Sequence, residues 1–307
     1  MKKIITAFAA GIIACSCANE TYYEKTVRFP EGATLEEKID IAAHVVPTPE
    51  QLKWQSLELT AFLHFGINTF TGNEWGDGTD SPELFNPSEL DCRQWAHVLK
   101  VAGFTAAILT AKHHDGFCLY PSKYAWNWNS WDVGPHRDFC MELRQAMEGT
   151  GVKFGVYHSV YEWFHPLYLE NPEAYALEHL HPMLKELICR YEPLTLFTDG
   201  EWEHESSVWH STEFLQWLYN ESSVKDYIVP NDRWGKETRG RKGGNFTTEY
   251  GIIDVYLGTE RRIDDVDLDR PFEECRGIGR SFGINKEEGC EDYLSVKELL
   301  KISGVIK

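Results

Sequence analysis

The segment Leu194-Thr195-Leu196-Phe197-Thr198-Asp199-Gly200-Glu201-Trp202 is an apolar run that ends in a carboxylate, followed by a glycine that lets the chain turn. An ionised carboxylate at a strand end could attack the anomeric carbon of a sugar. Cleavage with retention also needs a second carboxyl roughly 5 Å away to protonate the leaving oxygen. Asp199 suits the first role, although a strand-end aspartate also serves as a helix N-cap or a structural hydrogen-bond acceptor. For the second role, Glu249 lies about fifty residues downstream in Thr247-Thr248-Glu249-Tyr250. A partly apolar cleft would raise its pKa enough to hold a proton near neutral pH. Glu273, in Pro271-Phe272-Glu273-Glu274-Cys275, is the rival acid.

Three other groups carry polar chemistry. Lys112-His113-His114-Asp115-Gly116-Phe117 follows an apolar run, and at a strand-to-loop turn both histidines could reach one cleft. They could form a polar wall for sugar hydroxyls, bind a metal with His64 or Asp115 as third ligand, or sit satisfied in the core. Asn73-Glu74-Trp75-Gly76-Asp77-Gly78 offers one carboxylate and one indole stacking face. Asn231-Asp232-Arg233-Trp234-Gly235 supplies an arginine that could keep a carboxylate ionised, or form a buried structural Asp–Arg pair.

These residues need elements to position them. β-rich apolar runs occur at Phe62–Phe65, Thr105–Thr110, Lys153–Tyr157, Leu194–Thr198, Tyr227–Pro230 and Ile252–Leu257. Helical periodicity lies between several of them: Leu90–Ala102, with Trp95, Val98, Leu99 and Ala102 on one face; Phe139–Met147; and Tyr175–Tyr191, expected to break early at Pro182. Strands alternating with helices imply an α/β fold with a parallel sheet. His64, His113, His114, His158, Asp199, Asp232 and Arg233 fall at the C-terminal ends of successive strands, the rim where (β/α) barrels gather their chemistry. No glycine-rich phosphate loop follows the first strand, so a dinucleotide-binding fold is disfavoured. The expected architecture is a TIM-like (β/α) barrel over residues 43–307.

The bulk composition fits this reading. At 307 residues and 42% hydrophobic, the chain can bury one large core. A net charge of −18 without a basic stripe excludes nucleic acid and anionic membrane surfaces as partners. Eleven Trp residues suit sugar rings, whose C–H faces stack on flat apolar surfaces, though a large barrel also buries many aromatics. Lys2 and Lys3 followed by the apolar run Ile4–Ala14 resemble an export signal over residues 1–17, too short to span a bilayer. Its end, Ile12-Ile13-Ala14-Cys15, resembles a lipobox, with Cys15 or else Cys17 lipidated. This implies an exported bacterial protein, periplasmic or anchored to the outer membrane, that meets the membrane only through its lipid. Residues 18–42 read as a linker or irregular arm. The other six cysteines show neither a CxxC pair nor zinc-ligand spacing, and buried free thiols are expected.

Several long motifs together make the chain from about Trp54 to Leu300 resemble glycoside hydrolase family 29, the α-L-fucosidases. Tyr124-Ala125-Trp126-Asn127-Trp128-Asn129-Ser130, Asp132-Val133-Gly134-Pro135-His136-Arg137-Asp138, Tyr157-His158-Ser159, Glu162-Trp163-Phe164-His165-Pro166-Leu167-Tyr168 and Asp199-Gly200-Glu201-Trp202 are similar to the animal tissue and lysosomal type. His64-Phe65-Gly66-Ile67-Asn68-Thr69-Phe70 with Glu74–Gly78 resembles the subfamily that prefers branched α-1,3/1,4-linked fucose. The resemblance implies removal of terminal L-fucose from oligosaccharides or glycoconjugates with retention, and with neither cofactor nor metal. It implies Asp199 as nucleophile, Glu249 as acid/base (some relatives use the glutamate matched by Glu273), and a fucose pocket of His64, Glu74, Trp75, His113, His114, Tyr157 and Arg233. Family members continue into a last barrel strand and a C-terminal β-sandwich, both of which this sequence is expected to lack. Two other classes stay open: a lipid-anchored protein that binds fucosylated glycans without cutting them, and a metal-dependent hydrolase using His64, His113 and His114.

Overall fold

A computed structural model of the chain describes residues 29–42, 56–239, 253–254, 272–273 and 275–302. The export signal with Cys15 and Cys17, and the candidate acid Glu249, lie outside the described residues. Strands β1 (Thr60–Leu63), β2 (Ala106–Lys112), β3 (Lys153–Ser159), β4 (Thr195–Asp199) and β5 (Val229–Pro230) form one parallel sheet in the order β1-β2-β3-β4-β5. The expected parallel α/β architecture is therefore present. Sequential order with every neighbour parallel means that each crossover advances the sheet the same way round, whereas a doubly wound sheet reverses part-way. Two further short strands, β6 (Ile253–Asp254) and β7 (Phe272–Glu273), pair in parallel with each other.

Helices α1 (Leu35–Ala42), α2 (Cys92–Val101), α3 (Phe139–Met147), α4 (His181–Tyr191), α5 (Ser211–Asn220) and α6 (Val296–Ile302) are the longer ones among the described residues. Asp91 caps α2 by accepting the Arg93 N–H, and Asp138 caps α3 by accepting the Met141 N–H. None of the described helices is long and apolar enough to cross a membrane.

Three expectations about these elements change. The stretch 18–42 was expected to be irregular, yet its second half forms α1. Thr34 and Glu37 make a reciprocal capping box, with Thr34 N–H donating to Glu37 Oε2 at 2.8 Å. Lys38 then ties α1 to Glu213 of α5 at 3.1 Å. The buried stripe of α2 is Cys92, Ala96 and Leu99, while Val98 is half exposed and Ala102 exposed. Small residues there let the helix lie close to α3. The helix does not break at Pro182. It widens instead into a π-helical stretch, Ala176–Leu180, where the His181 N–H reaches back to the Ala176 carbonyl, and α4 continues through the proline.

The side-chain period of two sorts the sheet into two faces. Ile108, Tyr157 and Phe197 cluster with Phe62 and Cys275 on the inner face. Ala107, Leu109, Ala111, Val156 and Leu196 join the larger core under the helices. Because Phe197 faces inward, Asp199 two residues later faces the same way, one layer nearer the strand ends. A register shift between Thr110 and Lys112 alters the alternation at the end of β2. Lys112 reaches behind the sheet, and His113 joins Tyr157 on the inner side. Cys92, Cys118 and Cys140 are buried free thiols as expected, but Cys189 and Cys290 are exposed.

Gly200 has φ +83°, and an added Cβ would stand 2.4 Å from the Tyr161 Cβ. This turn releases the chain from β4 directly after Asp199. Gly200→Ala is expected to destabilise the fold by about 1–3 kcal/mol through backbone strain and the clash, read as a lowered urea midpoint.

Candidate active site

Asp199 is buried at the inner rim of the sheet, and three side chains surround its carboxylate. Arg233 donates to Oδ1 in a close charge-assisted bond, Tyr157 donates its hydroxyl to Oδ2 at 2.9 Å, and His114 Nε2 stands 3.7 Å from Oδ2. Tyr157 reaches Asp199 because it faces inward on the adjacent strand, paired with Phe197. Arg233 is set by the loop after β5. The Asn231 side chain continues the parallel pairing by accepting from Thr198 N–H and donating to Thr198 C=O at 2.8 Å. The guanidinium also lies over the Phe197 ring, 4.8 Å from its centroid. Burial is the largest influence on Asp199 and opposes its charge. Arg233 and the Tyr157 hydroxyl outweigh it and hold the carboxyl below its ordinary pKa.

The histidines form a packed wall. His113 lies between His64 and His114, with ring centroids 4.7 Å and 4.1 Å apart respectively, and it stacks on Tyr157. Burial lowers His64 and His114 to a pKa of about 4, and holds His113 well below its ordinary value. All three are therefore neutral at pH 7. The approach of His114 to Asp199 is then a polar contact rather than an ion pair. Neutral imidazoles can both give and accept hydrogen bonds, which suits a wall facing hydroxyl groups.

Trp75, half exposed, closes one side of the cleft. It lies edge-on to His114 at 5.2 Å and nearly parallel to Trp202 at 6.0 Å, with Trp163 against it at 4.9 Å. Glu74, on the same loop, accepts the Phe282 N–H at 2.8 Å. That bond joins the cleft to the segment 275–302, whose Gly283 packs against His64. His64, Asn68, His113, Asp115 and Gly283 border a narrow cleft. A wider surface groove lies elsewhere, on the helical side between Leu177, Lys185 and Glu213. Asp115 does not act as a third ligand for the histidines. It accepts from Phe117 N–H at 2.7 Å and Asn68 Nδ2 at 3.0 Å, and so shapes the turn.

The structure thus brings together His64, Glu74, Trp75, His113, His114, Tyr157, Asp199 and Arg233. Of the two candidate acids, Glu249 lies outside the described residues. Glu273 sits half-buried on β7, two residues before Cys275, which packs against the inner-face cluster of Tyr157 and Phe197. The donor atoms of His64, His113 and His114 do not converge. Among the described residues, only Glu162, His165 and His179 have donor atoms all within 4.8 Å of one another. That set does not fit a cation, because Lys112 Nζ already stands 2.7 Å from Glu162 Oε2 and neutralises it.

Residues 70–303 match the protein family described as alpha-L-fucosidase. The chain belongs to the alpha-L-fucosidase family. It is 43% identical over 258 residues to the tissue alpha-L-fucosidase of Rattus norvegicus, covering 81% of this chain and 53% of that one. It is 38% identical to the plasma alpha-L-fucosidase of Homo sapiens, covering 81% and 52%. Its fold is similar to a crystal structure of Thermotoga maritima alpha-fucosidase in complex with fucose, with a TM-score of 0.63 and 26% identity, covering 92% of this chain and 68% of that one. The chain spans about half the length of the curated relatives it matches.

Some features of this fucosidase-family site were not read from the sequence. Trp163, Trp202 and Tyr161 join the aromatic rim, and only the indoles carried a sequence signal. Lys112 is fully buried, and its signal was a charged residue closing an otherwise apolar run. Glu201, two residues after Asp199, is also buried. Burial, together with the nearby Asp199 charge, outweighs Arg233 and raises its pKa to about 7.

Glu201 gives a pH test. Its folded pKa lies above the ordinary value of 4.5, so it favours the native state below that pH, and the benefit is lost as pH rises toward 7. His64 and His114 shift the opposite way, so the wild-type curve mixes both effects. Glu201→Gln is expected to become more stable relative to wild type as pH rises from about 4.5 to 7. A constant difference in urea midpoint across that window would refute a protonated Glu201.

Proposed function

We propose that this chain carries the catalytic centre of an exo-acting, retaining α-L-fucosidase that hydrolyses terminal α-L-fucose from oligosaccharides or glycoconjugates by double displacement. One observation carries the reading: a buried carboxylate kept ionised by Arg233 and Tyr157 at the rim of a parallel sheet, faced by a wall of neutral histidines. Family membership supports it, as does the likeness to a fucosidase solved with fucose. The strand order supports a further reading of the sheet as the arc of a TIM-like barrel.

In this reading Asp199 attacks the anomeric carbon, the glycosidic C–O bond breaks, and the leaving oxygen takes a proton from the acid. Glu249 is the proposed acid, with Glu273 as the alternative. The resulting fucosyl ester is hydrolysed when the same residue, now a base, takes a proton from water. Each carboxylate oxygen of Asp199 has two acceptor sites, so the bonds from Arg233 and Tyr157 leave lone pairs for attack. When Asp199 departs in the second step, Arg233 stabilises the returning charge. His64, His113, His114, Glu74 and Trp75 would hold the sugar, the first four by hydrogen bonds and the indole by stacking. A lone binding role gives no reason to keep an ionised carboxylate beside an arginine at the pocket floor. We propose also that the chain is exported and lipid-anchored through Cys15 or Cys17, on the strength of its charged and apolar N-terminus.

The test is hydrolysis of an aryl α-L-fucoside. Asp199→Ala is expected to lose activity by on the order of 10⁴-fold, and turnover surviving that change would remove Asp199 from its role. Glu249→Gln is expected to lose roughly 10²–10⁴-fold on natural linkages, with a much smaller deficit on aryl leaving groups that need little protonation. If Glu273→Gln shows that pattern instead, the acid role moves to it. A rate abolished by chelator alone would favour metal-dependent hydrolysis.

A further inference from the structure

Behind the sheet lies a closed network that the proposed chemistry does not use. Lys112 is fully buried, and its ammonium has three partners: Glu162 Oε2 at 2.7 Å, the Ser159 carbonyl at 3.1 Å and the Tyr175 hydroxyl at 3.2 Å. Tyr175 in turn donates to Glu162 Oε2 at 2.9 Å. Gly116 allows Glu162 this close, since a Cβ there would meet Oε1 at 2.5 Å. The network therefore grips the backbone of Ser159, the last residue of β3, which pairs with Asp199 across the sheet.

The Ser159 side chain faces the other way and has two polar contacts. Its Oγ lies 2.7 Å from the Tyr161 carbonyl oxygen and 2.6 Å from His114 Nδ1. A carbonyl has no proton to give, so the single hydroxyl proton goes to Tyr161. The hydroxyl oxygen can then only accept from His114, which places the imidazole proton on Nδ1. His114 is neutral near pH 7, so Nε2 carries a bare lone pair, 3.7 Å from Asp199 Oδ2.

We propose that Ser159, gripped by the Lys112–Glu162 pair, is a positioning residue that fixes His114 as its Nδ1–H tautomer, so that Nε2 accepts a hydrogen bond from one hydroxyl of the bound sugar. The identity of that sugar as fucose rests on the function proposed above; the tautomer does not. Selectivity follows from the arrangement. An acceptor-only nitrogen beside a carboxylate finds no proton there, and a ligand lacking the matching hydroxyl leaves that nitrogen unpaired.

Nitrogen-15 NMR of the histidine rings at neutral pH tests this on the ligand-free protein. Wild type is expected to show His114 protonated at Nδ1. Ser159→Ala is expected to lose that preference, and Ser159→Thr, which keeps a hydroxyl, to restore it. A wild-type His114 protonated at Nε2, or a Ser159→Ala spectrum unchanged from wild type, overturns the proposal; the wild-type spectrum decides even if the alanine variant fails to fold. Calorimetry with L-fucose and its monodeoxy derivatives adds a second readout. Wild type is expected to bind one monodeoxy sugar at least tenfold more weakly than fucose, with Ser159→Ala losing that discrimination. Absence of any fucose binding by wild type would sink the functional reading, leaving the tautomer to be judged by NMR.

Discussion

The site depends on a charge pair formed where water is nearly absent. Asp199 and Arg233 are both buried, and either charge alone would be costly at that depth. Much of the surrounding structure serves to make the pair tolerable. Asn231 extends the sheet so that the guanidinium arrives at the carboxylate, Phe197 offers its ring face beneath, and Tyr157 supplies a hydroxyl from the neighbouring strand. Removing the arginine would leave an uncompensated buried anion, and the carboxylate would answer by taking up a proton. An ionised group ready for attack and a locally stable fold are thus the same requirement.

Around this charged point the nearest histidines are held neutral. Burial keeps the three histidines unprotonated near neutral pH and raises the pKa of Glu201 to about 7. An ionised carboxylate faced by neutral imidazole donors and acceptors is suited to an uncharged, hydroxyl-rich ligand. The acidic composition does not contradict this, since among the described residues most carboxylates lie on exposed side chains away from the site.

Much of this was legible in the sequence, for physical reasons that can be named. Strands ending in His or Asp, separated by amphipathic stretches, predict a parallel sheet with its polar residues at one rim, and β1 to β5 fall within or beside the expected runs. The site residues stand at strand ends or in glycine-rich turns, so their type and position together gave them away. What stayed hidden were three-dimensional compensations. Pro182 reads as a helix breaker because the sequence does not show that a wider turn can precede it. Bulk alone would turn Trp95 and Val98 inward on α2, whereas close packing beside α3 buries the small residues Cys92 and Ala96. Lys112 and Glu162 are fifty residues apart, and only the register shift at the end of β2 turns the lysine toward its partner.

The hydrogen bond from Phe282 to Glu74 joins positions 208 residues apart. During synthesis the sheet bearing Asp199 emerges well before residue 282 does, and domains assemble from the N-terminus as they are made. The loop carrying Glu74 and Trp75 must therefore wait, with one wall of its cleft absent, until the late segment arrives and Gly283 packs against His64. The nascent chain would hold its charged centre before it can grip a sugar, and the pocket matures only once residue 283 has emerged.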